Sequence, residues 1–385
     1  YHLFSHVVLG ANIQTIRFQR FDKFPFMEQW KKCRLGDILN FRRGYDLPKT
    51  KMASGKIPVA GSNGIIGYHN EATPITPCIT IGRSGNVGTP YIYKQCWAHN
   101  TVLYVDDFKG NDPYYLYYLL KTLPLASFGG GSAVPTLNRN HIHPIEVKYT
   151  PNLGIQNRIV TVLSSLDTKI QINKKINSNL EEQAKALFKS WFIDFEPFKG
   201  GKFVDSELGK IPEGWKVCPL EQMGKFKRGK TIVAKNTKEG TVPVVAGGME
   251  PAYYNNVANT KGPVITVSAS GANAGFMRLY FQDIWASDCS FLDNTNENLL
   301  WIYCFLDNNR RVLRHAQTGA VQPHVKPADI NSILVCVPVH ELIDKFQNVV
   351  RPLFLTIGLL QSETMRLQRT RDTLLPKLMS GEIKV

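Results

Sequence analysis

The sequence predicts an α+β fold made twice: two similar domains and two long helices with coiled-coil stripes, with the pseudo-two-fold of an internal duplication. Three observations carry this reading. Residues recur at a nearly constant offset along the 385 positions, the same order of strand-like and helix-like segments appears in each half, and each half ends in a heptad stripe.

The recurrence is specific. Trp30, Leu35, Phe41, Arg43 and Gly44 return 185 residues later as Trp215, Leu220, Phe226, Arg228 and Gly229. Gly131, Val134, Pro135, Ile142, Ile145 and Val147 have counterparts 188 residues on at Gly319, Gln322, Pro323, Ile330, Ile333 and Val335. Leu163, Leu166, Ile170, Leu180 and Leu187 return after 187 as Val350, Leu353, Ile357, Leu367 and Leu374. A duplicated module tends to a two-fold axis, which suits a partner that is itself two-fold, such as duplex DNA. The expected boundaries are 1–153 and 212–338 for the two domains, 154–193 for the first long helix, 194–211 for a linker, and 339–385 for the second long helix and tail.

In the first copy, Cys78–Gly82, Thr101–Val105 and Pro144–Tyr149 read as strands, being β-branched or aromatic and bounded by Gly, Pro or Asn. Pro113–Leu123 reads as a helix that Asp112 caps, with Pro113 at its first position. The second copy has matching strands at Pro263–Ser268 and Ile333–Pro338 and a matching helix near Glu297–Gln317. Residues 155–193 contain neither Gly nor Pro and place Ile159, Leu163, Leu166, Ile170, Leu180, Ala184, Leu187 and Trp191 in alternating steps of three and four, interrupted by Asn173 and Asn177. Phe346, Val350, Leu353, Ile357, Leu360, Leu367, Leu374 and Leu378 repeat the stripe. A helix of this length spans about 58 Å, and a stripe that long must be covered in water.

The pattern leaves the direction of pairing open. An antiparallel arrangement sets Leu163 against Leu374, Ile170 against Leu367, Leu180 against Ile357 and Leu187 against Val350, with Asn173 meeting Thr364 in a polar layer and Leu166 mismatched with Arg371. The alternative is that each helix packs on its own domain. Residues 194–212, rich in Gly, Lys, Phe and acid, read as an ordered linker.

Composition narrows the function classes. Apolar residues at 43% and charged residues at 20% describe a soluble globular chain, and no apolar run approaches a membrane span. The stretch Tyr1–Arg20 lacks signal-peptide order, the missing initiator Met suggests an incomplete start, and the scattered cysteines fit a reducing cytoplasm, the expected location. Cysteines at 33, 78, 96, 218, 289, 304 and 336 are scattered, which argues for free thiols and against a zinc site. The net charge of +15 points to a polyanion, nucleic acid before membrane. Residues 1–150 carry 17 basic and 9 acidic side chains, residues 212–338 carry 13 and 10, so the halves differ.

Phe192-Ile-Asp-Phe-Glu-Pro-Phe198, followed by Asp205-Ser-Glu-Leu-Gly-Lys-Ile-Pro-Glu-Gly-Trp215, resembles the central region of the specificity subunits of type I restriction–modification systems. Arg371-Asp-Thr-Leu-Leu375 with Pro376-Lys-Leu-Met-Ser-Gly-Glu-Ile383 resembles that family's C-terminal helix, and Ile16-Arg-Phe18 with Trp30 and Leu35 its entry into the first domain. The resemblance covers nearly the whole chain. It implies two target-recognition domains held apart by antiparallel helices, double-stranded DNA as ligand, and two docked modification subunits that carry adenine methyltransferase chemistry and S-adenosylmethionine. It further implies restriction subunits joined to that core. Half-sites on one face of a duplex lie roughly 34–36 Å apart, within reach of two domains on such a spacer, so a bipartite, asymmetric target with an unread gap is expected.

The duplication sorts candidate contacts. Features common to both copies cannot distinguish two half-sites, so Arg42, Arg43, Lys227 and Arg228 are expected on phosphates or on a solvated face. Loops that correspond but differ are the candidates for base readout. Gly82-Arg-Ser-Gly-Asn-Val-Gly88 faces Ser268-Ala-Ser-Gly-Ala-Asn-Ala-Gly275, offering Arg83, Ser84 and Asn86 against Ser270 and Asn273. Arg forks to guanine and Asn to adenine. Ser62 and Asn63 oppose Gly248 and Met249, while Asn138 and Arg139 with Asn140 oppose His324 and Lys326. For each of these the competing reading is a structural loop residue.

No catalytic constellation stands out. Asn111-Asp-Pro-Tyr-Tyr115 is similar to an adenine methyltransferase motif but lacks its second Pro, and Pro113 reads as a helix start. Phe128-Gly-Gly-Gly131 is a weak cofactor-loop signal, and Glu382-Ile-Lys384 has no paired Asp. His141 and His143 alternate as a surface pair would on a strand, and no Gly-x-x-x-x-Gly-Lys loop occurs. The expectation is a non-catalytic binder with neither metal nor cofactor of its own. The rivals are a methyltransferase or nuclease with unrecognised motifs, and a DNA-binding adaptor without a methyltransferase partner.

Overall fold

The computed structural model describes residues 30–130, 135–315 and 324–385. The repeat residues Gly131, Val134, Gly319, Gln322 and Pro323 and the segment Ile16-Arg-Phe18 lie outside the described residues, as does the end of the helix expected to reach Gln317. The chain forms two compact units, one from the residues up to Ser165 together with Arg371–Val385, the other from Leu166–Thr370.

Each unit contains the same three sheets. In the first, a four-stranded antiparallel sheet runs in the order Asn40–Arg43, Val102–Asp107, Cys78–Gly82, Pro90–Tyr93. A three-stranded sheet runs Gly64–His69, Ile57–Gly61, Trp97–Ala98, its last pair parallel, and Lys31–Arg34 pairs with Glu146–Tyr149. The second unit repeats the order with Lys227–Arg228, Cys289–Asp293, Val264–Ser268 and Met277–Tyr280. Its three-stranded sheet is Tyr253–Asn255, Val242–Val245, Trp285–Ala286, again ending in a parallel pair, and Lys216–Pro219 pairs with Leu334–Val337. The linker forms a hairpin of Phe203–Ser206 and Gly209–Pro212.

The central strand of each module explains its continuous apolar run. Cys78–Gly82 is buried along its length, with Ile79 and Ile81 in the main core and Cys78 in a smaller one with Ala60, Ala98 and Tyr104. Val264–Ser268 divides in the same way, Ile265 and Val267 to the main core and Val264 to a smaller cluster with Ile284 and Ala286. A strand covered on both faces shows no polar alternation, which is why it is so apolar. Asp112 caps helix Pro113–Thr122 as expected, its carboxylate accepting from the Tyr115 amide at 3.0 Å with Pro113 in the first turn.

Two 40-residue helices, Leu153–Phe192 and His340–Met379, follow the modules. Their pairing is antiparallel. In the second unit Asn173 lies 3.4 Å from Thr364, and eighteen residues further along the first helix Trp191 meets Phe346, eighteen residues back along the second, with ring centroids 6.1 Å apart. The register is the one in which Ile170 opposes Leu367. Leu163, Ile170, Val350 and Ile357 are fully buried, and Leu166, Leu180, Leu187, Leu353, Leu367 and Leu374 are half-buried.

The helices also complete the module cores. Ala184, Phe188 and Phe192 join Trp215, Phe226 and Trp301 in the second unit, where Phe192 lies 5.8 Å from Trp301 and 5.1 Å from Phe346. Removing one such buried aromatic costs about 3–5 kcal/mol. In the first unit the end of the second helix does the same, with Leu375, Leu378 and Met379 among Leu35, Ile38 and Tyr115. Seam packing and domain packing, opposed as alternatives in the sequence, therefore coexist.

Two expectations need correction. The helix expected near Glu297–Gln317 is broken into Leu299–Asn308 and Arg310–His315. The side-chain amides of Asn308 and Asn309 donate to the Cys304 and Phe305 carbonyls at 2.9 Å each, and Asn309 leaves the helical path between the two segments. His141 and His143 do not share a strand: they belong to the turn of helix Arg139–Ile142, His141 exposed and His143 half-buried against Phe41. No helix among the described residues is long and apolar enough to cross a membrane.

Candidate nucleic-acid interface

In the first unit the loops singled out by the sequence converge on one backbone carbonyl. Thr101 O accepts from the Ser62 hydroxyl at 2.7 Å, the Arg83 amide at 2.8 Å and the Ser84 amide at 3.2 Å. Ser62 is thereby buried and fixes its turn, leaving Asn63 exposed at the tip. The Arg83 side chain is half-buried, with Nη1 3.5 Å from the Asn100 carbonyl. Asn86 stands exposed on the loop. Gly82 is obligatory here: a Cβ would sit 1.9 Å from the Asn86 carbonyl, so the loop folds tightly over its own start.

The basic strand lies beside this cluster. Arg42 and Arg43 are exposed, and Arg43 Nη2 lies 3.4 Å from Asp46, whose carboxylate also accepts from Asn100. Gly44 lets the strand pass against the 98–101 loop, since a Cβ would meet the His99 carbonyl at 2.1 Å. Asn138 and Arg139 serve the scaffold as well as the surface. The Asn138 side chain caps its helix by accepting from the Asn140 amide at 2.9 Å, and Arg139 Nη1 donates to the Phe41 carbonyl at 3.2 Å. Burial lowers the affinity of His99 and His143 for a proton, and Arg139 and Lys109 add to the effect at His143.

The second unit builds the same frame with other side chains. Ser270 bridges to His324 as Ser84 does to Thr136, and the Val325 amide donates to Ala269 as Leu137 does to Arg83. Arg83 is thus matched by Ala269, Asn138 by Lys326 and Arg139 by Pro327. Arg228 donates to Asp288, which also accepts from the Ser270 hydroxyl at 2.7 Å. Ser268 Oγ holds the Gly247 carbonyl at 3.0 Å, where the first module ties its turn through Ser62. Asn273 is half-buried, and His324 and Lys326 are exposed. Lys225, Lys227 and Arg228 outnumber Glu221 in an open groove of about 620 Å³ that Asn331 and Ser332 also line. That groove suits a polyanion. A cavity of about 230 Å³ elsewhere in the unit, where Glu181, Glu182 and Asp307 outnumber Lys185 and Arg310, does not.

Asn100 and Asp288 were not singled out in the sequence. They follow the repeated dipeptides Trp97-Ala98 and Trp285-Ala286 by two residues, so divergence just after an identical pair was the available signal. Neither module assembles a catalytic set at these loops. Among the described residues no group of three or more His, Cys, Asp or Glu side chains is placed to hold a metal, and all seven cysteines are free thiols.

Comparison with known proteins follows the same division. The sequence model of the type I restriction modification DNA specificity domain matches twice, over residues 27–182 and 212–347. The chain is 33% identical over 299 residues to the type I restriction enzyme MjaIX specificity subunit of Methanocaldococcus jannaschii, spanning 70% of this chain and 69% of that protein. It is 24% identical over 314 residues to the HindI specificity subunit of Haemophilus influenzae, spanning 60% and 68%. Among solved structures, the S subunit of a type I restriction-modification system from M. genitalium shares the fold with a TM-score of 0.63 at 18% identity, over 91% of this chain and 96% of that one.

Proposed function

From the premise that this chain belongs to the type I restriction modification DNA specificity domain family, we propose how its two modules divide the reading of DNA. The chain is the DNA sequence-specificity subunit of a type I restriction–modification enzyme. It binds DNA, assembles with other subunits of that enzyme and is not its catalytic component. Each module reads one half of a bipartite target.

The observation that carries this reading is one frame filled by two sets of side chains. Identical strand order fixes where the loops stand, and Arg83 against Ala269, or Asn138 against Lys326, makes the chemistry presented there unequal. Two halves so different imply an asymmetric target. Arg42, Arg43, Lys227 and Arg228 hold phosphates, which sets register without sequence information. Asn63, Arg83, Ser84 and Asn86 in one module, and Ser270, Asn273, His324 and Lys326 in the other, face base edges. Asn138 and Arg139 border that surface, and Ser62 positions it.

Two modification subunits dock on the chain, bringing methyltransferase chemistry and S-adenosylmethionine, and restriction subunits join them in the cytoplasm. Leu355 and Leu359, one turn apart and exposed on the second long helix, give such docking an apolar contact. Methylome sequencing of cells with and without the gene tests the proposal. The expected result is loss of one bipartite, gapped adenine-methylation motif on deletion; an unchanged methylome overturns it. Tight binding of S-adenosylmethionine to the isolated chain, read by calorimetry, would favour an enzyme instead.

A further inference from the structure

One position outside the candidate loops differs between the modules in a way that reaches into them. Tyr91 in strand Pro90–Tyr93 pairs with Thr80, and Arg278 in strand Met277–Tyr280 pairs with Thr266. Thr80 and Thr266 are themselves equivalent, each two residues before the end of its module's central strand. Tyr91 and Arg278 therefore occupy one lattice point of the repeated sheet.

Each borders the same turn with a different chemistry. Tyr91 stands beside Gly64, at the end of the Ser62-Asn63 turn, its ring edge 3.9 Å from the point that a Cβ on Gly64 would occupy, and it stacks on Tyr93 at 6.4 Å and 26°. Arg278 donates through Nη1 to the Met249 carbonyl at 2.7 Å, within the equivalent turn, and to Glu250 at 3.3 Å. Its guanidinium sits 5.0 Å from the centre of the Tyr280 ring, the counterpart of Tyr93. A planar cation clamped between a ring and a carbonyl has little rotamer freedom left. One module thus sets the edge of an aromatic ring beside its turn, the other ties its turn down with a charged hydrogen bond.

We infer that Tyr91 and Arg278 are positioning residues for the turns Ser62-Asn63 and Gly248-Met249, setting the sequence preference of their half-sites without themselves touching a base. This rests on the DNA-reading function proposed above. The turns meet the candidate loops directly, Ser62 through the Thr101 carbonyl that also holds Arg83, and Gly247 through Ser268. A residue that sets the height and tilt of the turn decides which base edge comes within hydrogen-bonding distance.

The test uses the full chain assembled with its modification subunits, selecting duplexes randomised across both half-sites and sequencing those bound. Arg278→Ala is expected to lower discrimination about tenfold at one or two positions of a single half-site and leave the other half unchanged. Arg278→Lys, which keeps a donor for the Met249 carbonyl, restores part of it. Tyr91→Ala does the same to the other half-site, and Tyr91→Phe, which keeps the ring, behaves as wild type. Variants that bind all duplexes more weakly with both preference profiles intact overturn the inference, because a merely structural residue acts that way. A wild-type assembly with no preference at all overturns the reading on which it rests. If Arg278→Ala fails to fold, Arg278→Lys and Tyr91→Phe decide the matter, since an altered profile in Tyr91→Phe or a wholly unaltered one in Arg278→Lys counts against the inference.

Discussion

His143 Nε2 accepts a hydrogen bond from the Phe41 amide at 3.1 Å, and at the equivalent place in the second module Asn331 Oδ1 accepts from the Phe226 amide at 2.8 Å. The same exchange occurs once more, His69 Nδ1 holding the Ala53 amide where Asn255 Oδ1 holds that of Lys238, both at 3.0 Å. The first module thus fastens two backbone donors with imidazole nitrogens and the second with amide oxygens.

That difference predicts unequal pH sensitivity. Burial, then Arg139 and Lys109, lower the proton affinity of His143 below its ordinary value of 6.5, against a smaller opposing effect from Asp106. The unfolded chain then takes up the proton first, so this contribution to stability is whole above pH 6.5 and is lost as pH falls from there through the folded value. His99, lowered mainly by burial, adds a slope of the same sign. His143→Asn should flatten part of the decline in urea-unfolding stability between pH 7 and pH 5.5; an unchanged slope would show that His143 is not its source.

A second prediction concerns the close passage of two loops. A Cβ on Gly44 would stand 2.1 Å from the His99 carbonyl, and one on Gly229 2.4 Å from the Ser287 carbonyl. Both obstacles are backbone, which cannot swing aside as a side-chain tip does. Gly44→Ala and Gly229→Ala should each destabilise by about 1–3 kcal/mol, in keeping with overpacked sites. Chemical denaturation monitored by tryptophan fluorescence measures this, and near-neutral effects would mean that the loops yield.

The duplication, several of the strands and the two heptad stripes were legible because each depends on local period or on recurrence, whereas the order of strands in the sheets and the direction of helix pairing were not. Asn173 against Thr364 follows from matching two heptad stripes. What the stripes could not reveal is that Phe188 and Phe192 turn towards Trp301, or that Leu375 and Leu378 close the first module's core, since a heptad names a face and not its partner. Gly82 and Ser268 marked the candidate loops through their flanking small residues. The bonds that organise those loops, Ser62 to Thr101 or Ser270 to Asp288, join segments 18 to 39 residues apart and leave no trace in spacing. Asn309 broke a helix that its apolar neighbours had promised.

The polar layer of the helix pair gives a third prediction. Asn173 is fully buried, donates to Glu363 Oε2 at 2.7 Å and leaves its own Oδ1 without a partner. A buried amide half satisfied in an apolar seam holds register at a cost in stability. Asn173→Leu should raise stability by about 1 kcal/mol while loosening register. Thermal melts record the first effect. Cysteine pairs at Ile170 and Leu367 report the second: they should crosslink cleanly in the parent chain and compete with shifted pairs in the variant. A destabilised Asn173→Leu chain would contradict this account of the layer.

Arg83 offers the sharpest test of base reading. Its backbone is fixed at both ends, the amide on Thr101 and the carbonyl accepting from Leu137 at 2.8 Å, so truncating the side chain leaves the loop in place. The matching position in the second module is Ala269, which shows that the frame tolerates a methyl group there. A guanidinium on guanine O6 and N7 contributes about 1–3 kcal/mol of discrimination at one base pair. Arg83→Ala should therefore relax a single position of one half-site by that amount and leave the salt dependence of binding nearly unchanged. If Arg83 instead lies on a phosphate, affinity falls evenly for every sequence and the slope of log K against log salt shallows by about one. Binding isotherms at two or more salt concentrations, on the target and on duplexes altered at single positions, separate the two outcomes.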